Sequence, residues 1–331
     1  MKSFHYVRVK TVDEAMSAYS NSSDPRFIGG GTNLLDLMKM GVETPSHLID
    51  VSRLPLHSIE EREGGVRIGA LVSNTDAANH ELIRTRYPVL SEAILSGASQ
   101  QLRNMATMGG NLLQRTRCYY FYDPSYTECN KRTPGSGCAA KEGVNRIHAI
   151  LGAGTECIAT HPSDMCVALA ALDAVVRVTG PKGERSLPFH GFHRLPGNTP
   201  QLDTNLLAGE LITAIDLPAL AYARRSHYLK VRERSSYAFA LVSVAAVLDL
   251  DADAKVRQAR IALGGVAHMP WRARTAEKLM IGEKIEPKAL RNAANGELAA
   301  ARPYRDNAFK VELAKRAIVR ALTTAAAQEA A

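Results

Sequence analysis

The 331-residue chain is 46% hydrophobic and carries 41 Lys and Arg against 33 Asp and Glu, a net charge of +8. That length and composition suit two or three domains with a substantial core, and no run of 18 apolar residues is present to form a membrane-spanning helix. The basic residues are scattered, and no helix-turn-helix, RNA-recognition or finger pattern accompanies them, so the charge points to anionic cofactors or partner subunits and not to nucleic acid.

Residues 3–9 alternate like a strand and lack the apolar stretch of a signal peptide, so export by a signal of its own is not expected. Thr11-Val12-Asp13-Glu14 has capping-box form ahead of a helix. Arg26-Phe27-Ile28 reads as a short strand that runs into Gly29-Gly30-Gly31. Thr32 to Met38 opens a helix that Gly41 stops, and 47–51 is a further strand. Together these make a small α/β lobe over 1–55. A strand pair is expected near 57–62 and 65–71, turned by Gly64-Gly65. Asn74 to Ser96 reads as helix broken at Pro88. A Pro- and Gly-rich loop occupies about 116–158, and Ser163-Asp164-Met165 caps a helix over 166–172. Strands at 174–180 and 211–217 precede a linker at 218–221. Strands at 226–234, 239–249 and 256–266 then follow one another without intervening helices, and helices run to an Ala-rich tail, 323–331, expected to fray. The division is therefore 1–55, 56–218 and 219–331, with an α+β fold throughout and an antiparallel sheet in the last part.

Two features carry chemistry. Gly29-Gly30-Gly31-Thr32-Asn33 sits between a strand and a helix, where glycines let the backbone approach a ligand and turn amides toward an anion. It is not G-x-G-x-x-G, because Leu34 stands where the last glycine should be, and no Gly-Lys-Ser/Thr follows. Taken alone it is either an anion cradle or a tight turn. Thr107-Met108-Gly109-Gly110-Asn111 has the same chemistry, and two such loops can hold one dinucleotide.

The second feature is the concentration of four of the five cysteines, Cys118, Cys129, Cys138 and Cys157, in the irregular loop. Four thiolates are the number an iron–sulfur cube needs. The absence of any Cys-x-x-Cys pair leaves a metal centre, two disulfides and unrelated thiols all open on spacing alone. Cys166 falls among small apolar residues, where a thiol behaves as a small hydrophobe. No Ser-His-Asp, His-Glu-x-x-His or paired-carboxylate pattern stands out, so substrate chemistry is not expected on this chain.

The two glycine loops resemble the FAD loops of the flavoprotein subunits of the xanthine dehydrogenase and carbon monoxide dehydrogenase family. His161-Pro162-Ser163-Asp164, Lys230 to Arg234 with Tyr237 to Val244, Gly264 to Ala267 and Pro270-Trp271-Arg272 match further segments of that family in order along the chain. The cysteine insertion, with Gln100 to Asn104 and Asn111 to Cys118, is similar to the medium subunit of bacterial molybdenum aldehyde oxidoreductases of the periplasmic type.

The resemblance implies a two-lobed FAD-binding domain of the vanillyl-alcohol-oxidase kind followed by a CO-dehydrogenase-flavoprotein C-terminal domain. Phe27, Ile28, Gly29, Gly30, Gly31, Thr32, Asn33, Leu34 and Leu35 would wrap the FAD diphosphate, completed by Thr107, Gly110 and Asn111. Asp164 would accept from the adenosine ribose, with a helix cap as its plainer role. Lys230 would approach the flavin ring, with a solvated strand lysine as its plainer role. Cys118, Cys129, Cys138 and Cys157 would ligate a [4Fe–4S] cluster. Tyr119 to Tyr122 and Tyr126 would shield it or simply pack the loop, and Arg115, Arg117, Lys131 and Arg132 would offset its charge or lie on the surface.

The implied function is an electron-transfer subunit of a heterotrimeric aldehyde oxidoreductase, aldehyde to carboxylic acid. The molybdenum cofactor would sit on a large partner and the [2Fe–2S] clusters on a small one, and electrons would leave through FAD to an external acceptor. The equivalent subunit of a hydroxybenzoyl-CoA-reductase-like enzyme and a zinc-stabilised non-catalytic scaffold are the competing readings. Localisation is expected to be periplasmic, by co-export with a twin-arginine-signal partner, or cytoplasmic.

Overall fold

A computed structural model of the chain describes residues 1–328. The first lobe is a three-stranded parallel sheet in the order β1-β3-β2, built from β1 (His5–Arg8), β2 (Pro25–Ile28) and β3 (His47–Asp50). Parallel neighbours need crossovers, and α1 (Val12–Ser20) and α2 (Leu34–Lys39) supply them. The cap of α1 is the one the sequence implies, with the Thr11 hydroxyl accepting from the Glu14 amide at 3.1 Å. Glu14 reaches back to the Lys10 amide at 2.7 Å, one residue before the position a strict box would use.

The second sheet is five-stranded and antiparallel. It contains β4 (Ile59–Arg62), β5 (Gly65–Gly69), β6 (Val175–Gly180), β7 (Gly183–Pro188) and β8 (Leu211–Leu217), in the order β4-β5-β8-β6-β7. β7 was not expected. Its burial alternates weakly, and only Leu187 points firmly inward, so the period-2 signal is faint. The helical stretch 74–96 breaks twice, at His80 and Tyr87, into α3 (Asn74–Asn79), α4 (Glu81–Arg86) and α5 (Pro88–Ser96), because Pro88 takes the first position of a new helix. Three short helices also lie outside the expected elements: α6 (Gln100–Met105), α7 (Met108–Leu112) and α8 (Tyr119–Tyr122). Each is too short to show a helical period. The helix expected after Ser163 is α9 (Asp164–Ala171), and Ser163 caps it.

The third sheet, in the order β12-β11-β10-β9, contains β9 (Ser226–Val231), β10 (Val242–Leu250), β11 (Val256–Gly264) and β12 (Trp271–Arg272). Its central strand is apolar on both faces because it is covered twice. Ala245 and Val247 join the core around α5 and α9, while Val244, Ala246 and Leu248 join the core around α10 (Arg274–Met280), α11 (Pro287–Leu298) and α12 (Phe309–Ala326). The expected strands 226–234 and 239–249 are shorter than the sequence suggests, and residues 232–241 form the loop between them. Of the tail expected to fray, 323–326 form the last turn of α12 with Ala325 fully buried, and 329–331 lie outside the described residues. Among the described residues no helix is long and apolar enough to cross a membrane.

Candidate functional site

The first glycine loop leaves β2 and enters α2, and the second leaves α6 and enters α7. They touch. A Cβ on Gly30 would lie 1.7 Å from the Met105 carbonyl oxygen, so only glycine lets the two loops meet. Gly31 takes φ 70°, the left-handed conformation that turns the chain into α2. The second loop is held by Thr107, whose hydroxyl accepts from the Gly110 amide at 3.1 Å.

Between them lies a cavity of about 560 Å³, within the usual size range of ligand pockets. Every residue expected to hold the nucleotide lines it except Leu35, which packs with Ile28, Met38 and Leu48. Arg103 and Arg117 line it as well and supply positive charge suited to a diphosphate, while Arg115 lines it already paired with Glu43 and Asp203. Tyr237 and Phe239 reach it from the 232–241 loop. Sequence reasoning gives these two aromatics no ligand role: Phe239 falls at the start of the strand expected over 239–249, and Tyr237 falls between the two expected strands. They are 56% and 51% exposed, too exposed for residues of a buried strand.

Several polar side chains expected to face a ligand bond to protein. Asn33 donates to the Tyr122 hydroxyl at 3.1 Å and accepts from the Arg115 amide at 2.8 Å. It therefore ties the first glycine loop to the start of the cysteine stretch. Asn111 donates to Asn74 Oδ1 at 2.7 Å and accepts from the Ser163 hydroxyl at 2.7 Å. Asp164 and Lys230 form a buried ion pair at 2.8 Å, with side chains 8% and 4% exposed. The Tyr228 hydroxyl donates to the other Asp164 oxygen at 2.6 Å, and Lys230 also donates to the Ser96 carbonyl at 3.0 Å. Burial, with the Asp164 charge next, pushes the Tyr228 hydroxyl well above its ordinary range. Lys230 is thus not a solvated strand lysine, and Ser163, not Asp164, caps α9. The pair stands at one place on the cavity wall, where separate ends of the nucleotide were expected.

The cysteine stretch wraps a second centre. Cys118, Cys129, Cys138 and Cys157 all face one small cavity, and all five cysteines of the chain are free. The wide sequence spacings close through tight local structure. Cys129 and Cys138 pair across an isolated antiparallel bridge, and Arg132 and Thr133 turn back onto the Cys129 carbonyl. Burial, then the neighbouring thiols, pushes Cys118 up to about 12 and Cys157 to about 11, so without a cation these sulfurs are protonated. Backbone amides nevertheless surround them: those of Phe121 and Tyr120 at Cys118, Ile158 and Ala140 at Cys138, and Ala159 at Cys157. His148 Nε2 lies 3.1 Å from Cys118 Sγ. Four thiols, three of them met by N–H donors, are a donor set suited to an anionic iron–sulfur core.

The surrounding residues divide. Tyr120 and Phe121 are buried beside the thiols, while Tyr119 and Tyr126 are exposed. Lys131, weighed as a surface charge, is buried. It donates to the Pro200 carbonyl at 2.7 Å and pairs with Asp203, which Arg115 also meets at 2.5 Å. Burial would raise the Asp203 carboxyl, but these two cations outweigh it and hold it well below the usual carboxylate range. Arg132 caps carbonyls of Tyr120, Phe121 and Tyr126. The stretch is anchored on the C-terminal part by Lys310, fully buried, which donates to the carbonyls of Ile147, His148 and Gly265. Cys166 sits in α9, outside the four-thiol cavity.

Comparison with known proteins decides the family. Residues 2–220 match the FAD binding domain in molybdopterin dehydrogenase, and 227–325 match the CO dehydrogenase flavoprotein C-terminal domain. The chain belongs to the FAD-binding medium-subunit family of the molybdenum hydroxylases. It is 53% identical to the aldehyde oxidoreductase FAD-binding subunit PaoB of Escherichia coli K12, over 99% of this chain and 100% of that protein. It is 27% identical to the glyceraldehyde dehydrogenase medium chain of Sulfolobus acidocaldarius, over 99% and 98%. Carbon monoxide dehydrogenase of Hydrogenophaga pseudoflava superposes with a TM-score of 0.76 at 27% identity, over 98% and 97% of the two chains. The fold is therefore that of the family's two-domain flavoprotein subunit, and the chain is an oxidoreductase subunit of the aldehyde-oxidoreductase kind.

Proposed function

We propose that this chain is the FAD- and [4Fe–4S]-carrying electron-transfer subunit of a heterotrimeric molybdenum-dependent aldehyde oxidoreductase. The single observation that carries this reading is the convergence of four free cysteines on one cavity, joined through Asn33 to the glycine loop of an FAD-binding domain. The 53% identity to an aldehyde oxidoreductase subunit supports the reaction class.

Gly29, Gly30 and Gly31, with Thr107, Gly110 and Asn111, shape the cradle for the nucleotide, and Arg103 and Arg117 answer the charge of its diphosphate. Asp164 and Lys230 are proposed as its further polar contacts from the far wall. Cys118, Cys129, Cys138 and Cys157 hold the cluster, the backbone amides stabilise the thiolates, and Tyr120 and Phe121 exclude water. FAD and the cluster together supply one- and two-electron redox chemistry. A large subunit with the molybdenum cofactor and a small subunit with [2Fe–2S] clusters complete the proposed assembly. Co-export with a twin-arginine-signal partner is its proposed route to the periplasm.

The test is the visible spectrum and metal content of the purified complex, wild type against Cys129→Ser. The reading expects flavin and cluster absorbance that bleaches with dithionite. It also expects the variant to lose about four irons with matching sulfide per chain. A colourless complex, or one zinc per chain lost in the variant, overturns it.

A further inference from the structure

Beneath the FAD cavity a second set of soft and borderline donors is buried apart from the four-thiol centre. His161, Cys166 and His193 each offer one donor atom, and these atoms lie within 4.8 Å of one another. His161 precedes α9, Cys166 lies in its first turns, and His193 follows β7. All three are buried, at 8%, 0% and 3% exposure.

The two rings lie close, with centroids 4.3 Å apart and planes tilted by 55°. Both leave a buried nitrogen without a hydrogen-bond partner: His161 Nε2 and His193 Nδ1. For His193 the tautomer follows from its other nitrogen. Nε2 lies 3.0 Å from the Leu112 carbonyl, which can only accept, so Nε2 carries the proton and Nδ1 is a bare lone pair. A buried ring nitrogen without a partner is costly whether or not it carries a proton, and two of them beside a buried thiol need an explanation.

We propose that His161, Cys166 and His193 form a three-coordinate site for a single Cu(I) ion, distinct from the [4Fe–4S] centre. Two imidazoles and a thiolate in a trigonal set suit copper. Charge selects the oxidation state. The thiol proton leaves to solvent as the Cu–S bond forms, so Cu(I), one thiolate and two neutral rings sum to zero. Zn²⁺ in the same place would leave an uncompensated positive charge. The carboxylates that face the three donors, Asp203 and Asp164, are already engaged by Lys131 and Arg115 and by Lys230, so they do not balance that charge. His161 also lines a cavity of about 390 Å³ that abuts the FAD cavity, and this gives the ion a way in. A bound ion would staple the start of α9 to the segment after β7, beneath the Asp164–Lys230 wall.

The experiment is an anaerobic titration of the purified complex with Cu(I) buffered by bicinchoninate, comparing wild type with Cys166→Ala, Cys166→Ser and His193→Phe. Flavin and iron content are measured on each sample as a check on folding. The four cluster cysteines are the same in all samples, so any adventitious uptake there cancels. Wild type is expected to take up about one equivalent per chain more than any variant whose flavin and iron are unchanged. X-ray absorption at the copper edge should then show two nitrogen scatterers and one sulfur. Equal uptake by wild type and Cys166→Ser would overturn the site. Zinc bound in place of copper by the wild type as isolated would overturn the ion assignment. This test does not depend on whether the other four cysteines hold iron.

Discussion

The two centres of this subunit are built by opposite means. The glycine cradle is made of backbone: its walls are close-packed loops whose contact requires residues without side chains, as at Gly30 against Met105. The cysteine stretch is made of side chains: among residues 113–163 only α8 is a named element, and its order comes from groups that bond to carbonyls, chiefly the buried Lys310 and Asn145 and the half-buried Arg132. A cradle of backbone tolerates loss of a side-chain contact but not gain of a methyl. A centre of side chains behaves the other way round. Asn33 belongs to both, and it is where the two kinds of construction are coupled.

Removing a thiol should have the largest effect. Cys129→Ser is expected to abolish the cluster and to loosen the stretch against protease, because the binding energy of such a centre is also folding energy. Limited proteolysis with peptide mapping near 126–140 would show it, and an unchanged digestion pattern would contradict the idea that the centre orders the loop.

Next comes Gly30→Ala. The new methyl cannot coexist with the Met105 carbonyl, and separating the loops is expected to cost about 1–3 kcal/mol and to strip most of the FAD during gel filtration. The flavin-to-protein absorbance ratio is the readout, and full flavin retention would mean that the loops need not touch.

Asn33→Ala should act on both centres at once. Losing its two bonds is expected to weaken FAD binding by about tenfold, near 1.4 kcal/mol, and to slow iron incorporation in parallel. Flavin loss with iron unaffected would place Asn33 on the cradle alone.

The smallest effect concerns potential rather than occupancy. With a thiolate at Cys118, the His148 ring donates to it from Nε2, and a donor to sulfur favours the more negative, reduced cluster. His148→Phe is expected to lower the cluster midpoint by roughly 60 mV, about 1.4 kcal/mol for one electron. An EPR-monitored redox titration measures it, and a rise would contradict the assigned proton.

The sequence made the glycine loops readable because their residue types are needed for local reasons that hold in any fold, namely φ 70° at Gly31 and closeness at Gly30. The caps at Thr11 and Ser163 were legible for the same reason. What was hidden is what depends on distant partners. Asp164 and Lys230 are 66 residues apart, and nothing local says that they neutralise each other. Asn33 looks like a ligand contact until Tyr122 and Arg115 are placed against it. The helices α6, α7 and α8, of four to six residues each, are set by the loops that flank them rather than by any period of their own. Among the cysteines, spacing separated neither metal from disulfide nor Cys166 from the rest. Placement sorts the thiols, by putting four on one cavity and the fifth within α9.

Anomalous diffraction at the iron absorption edge, on crystals of the intact complex, tests the central claim most directly. The account predicts a compact four-iron peak enclosed by Cys118, Cys129, Cys138 and Cys157, with flavin density in the adjoining cavity against Gly29, Gly30 and Gly31. A peak only at the zinc edge among those sulfurs, or paired S–S density there, would contradict it.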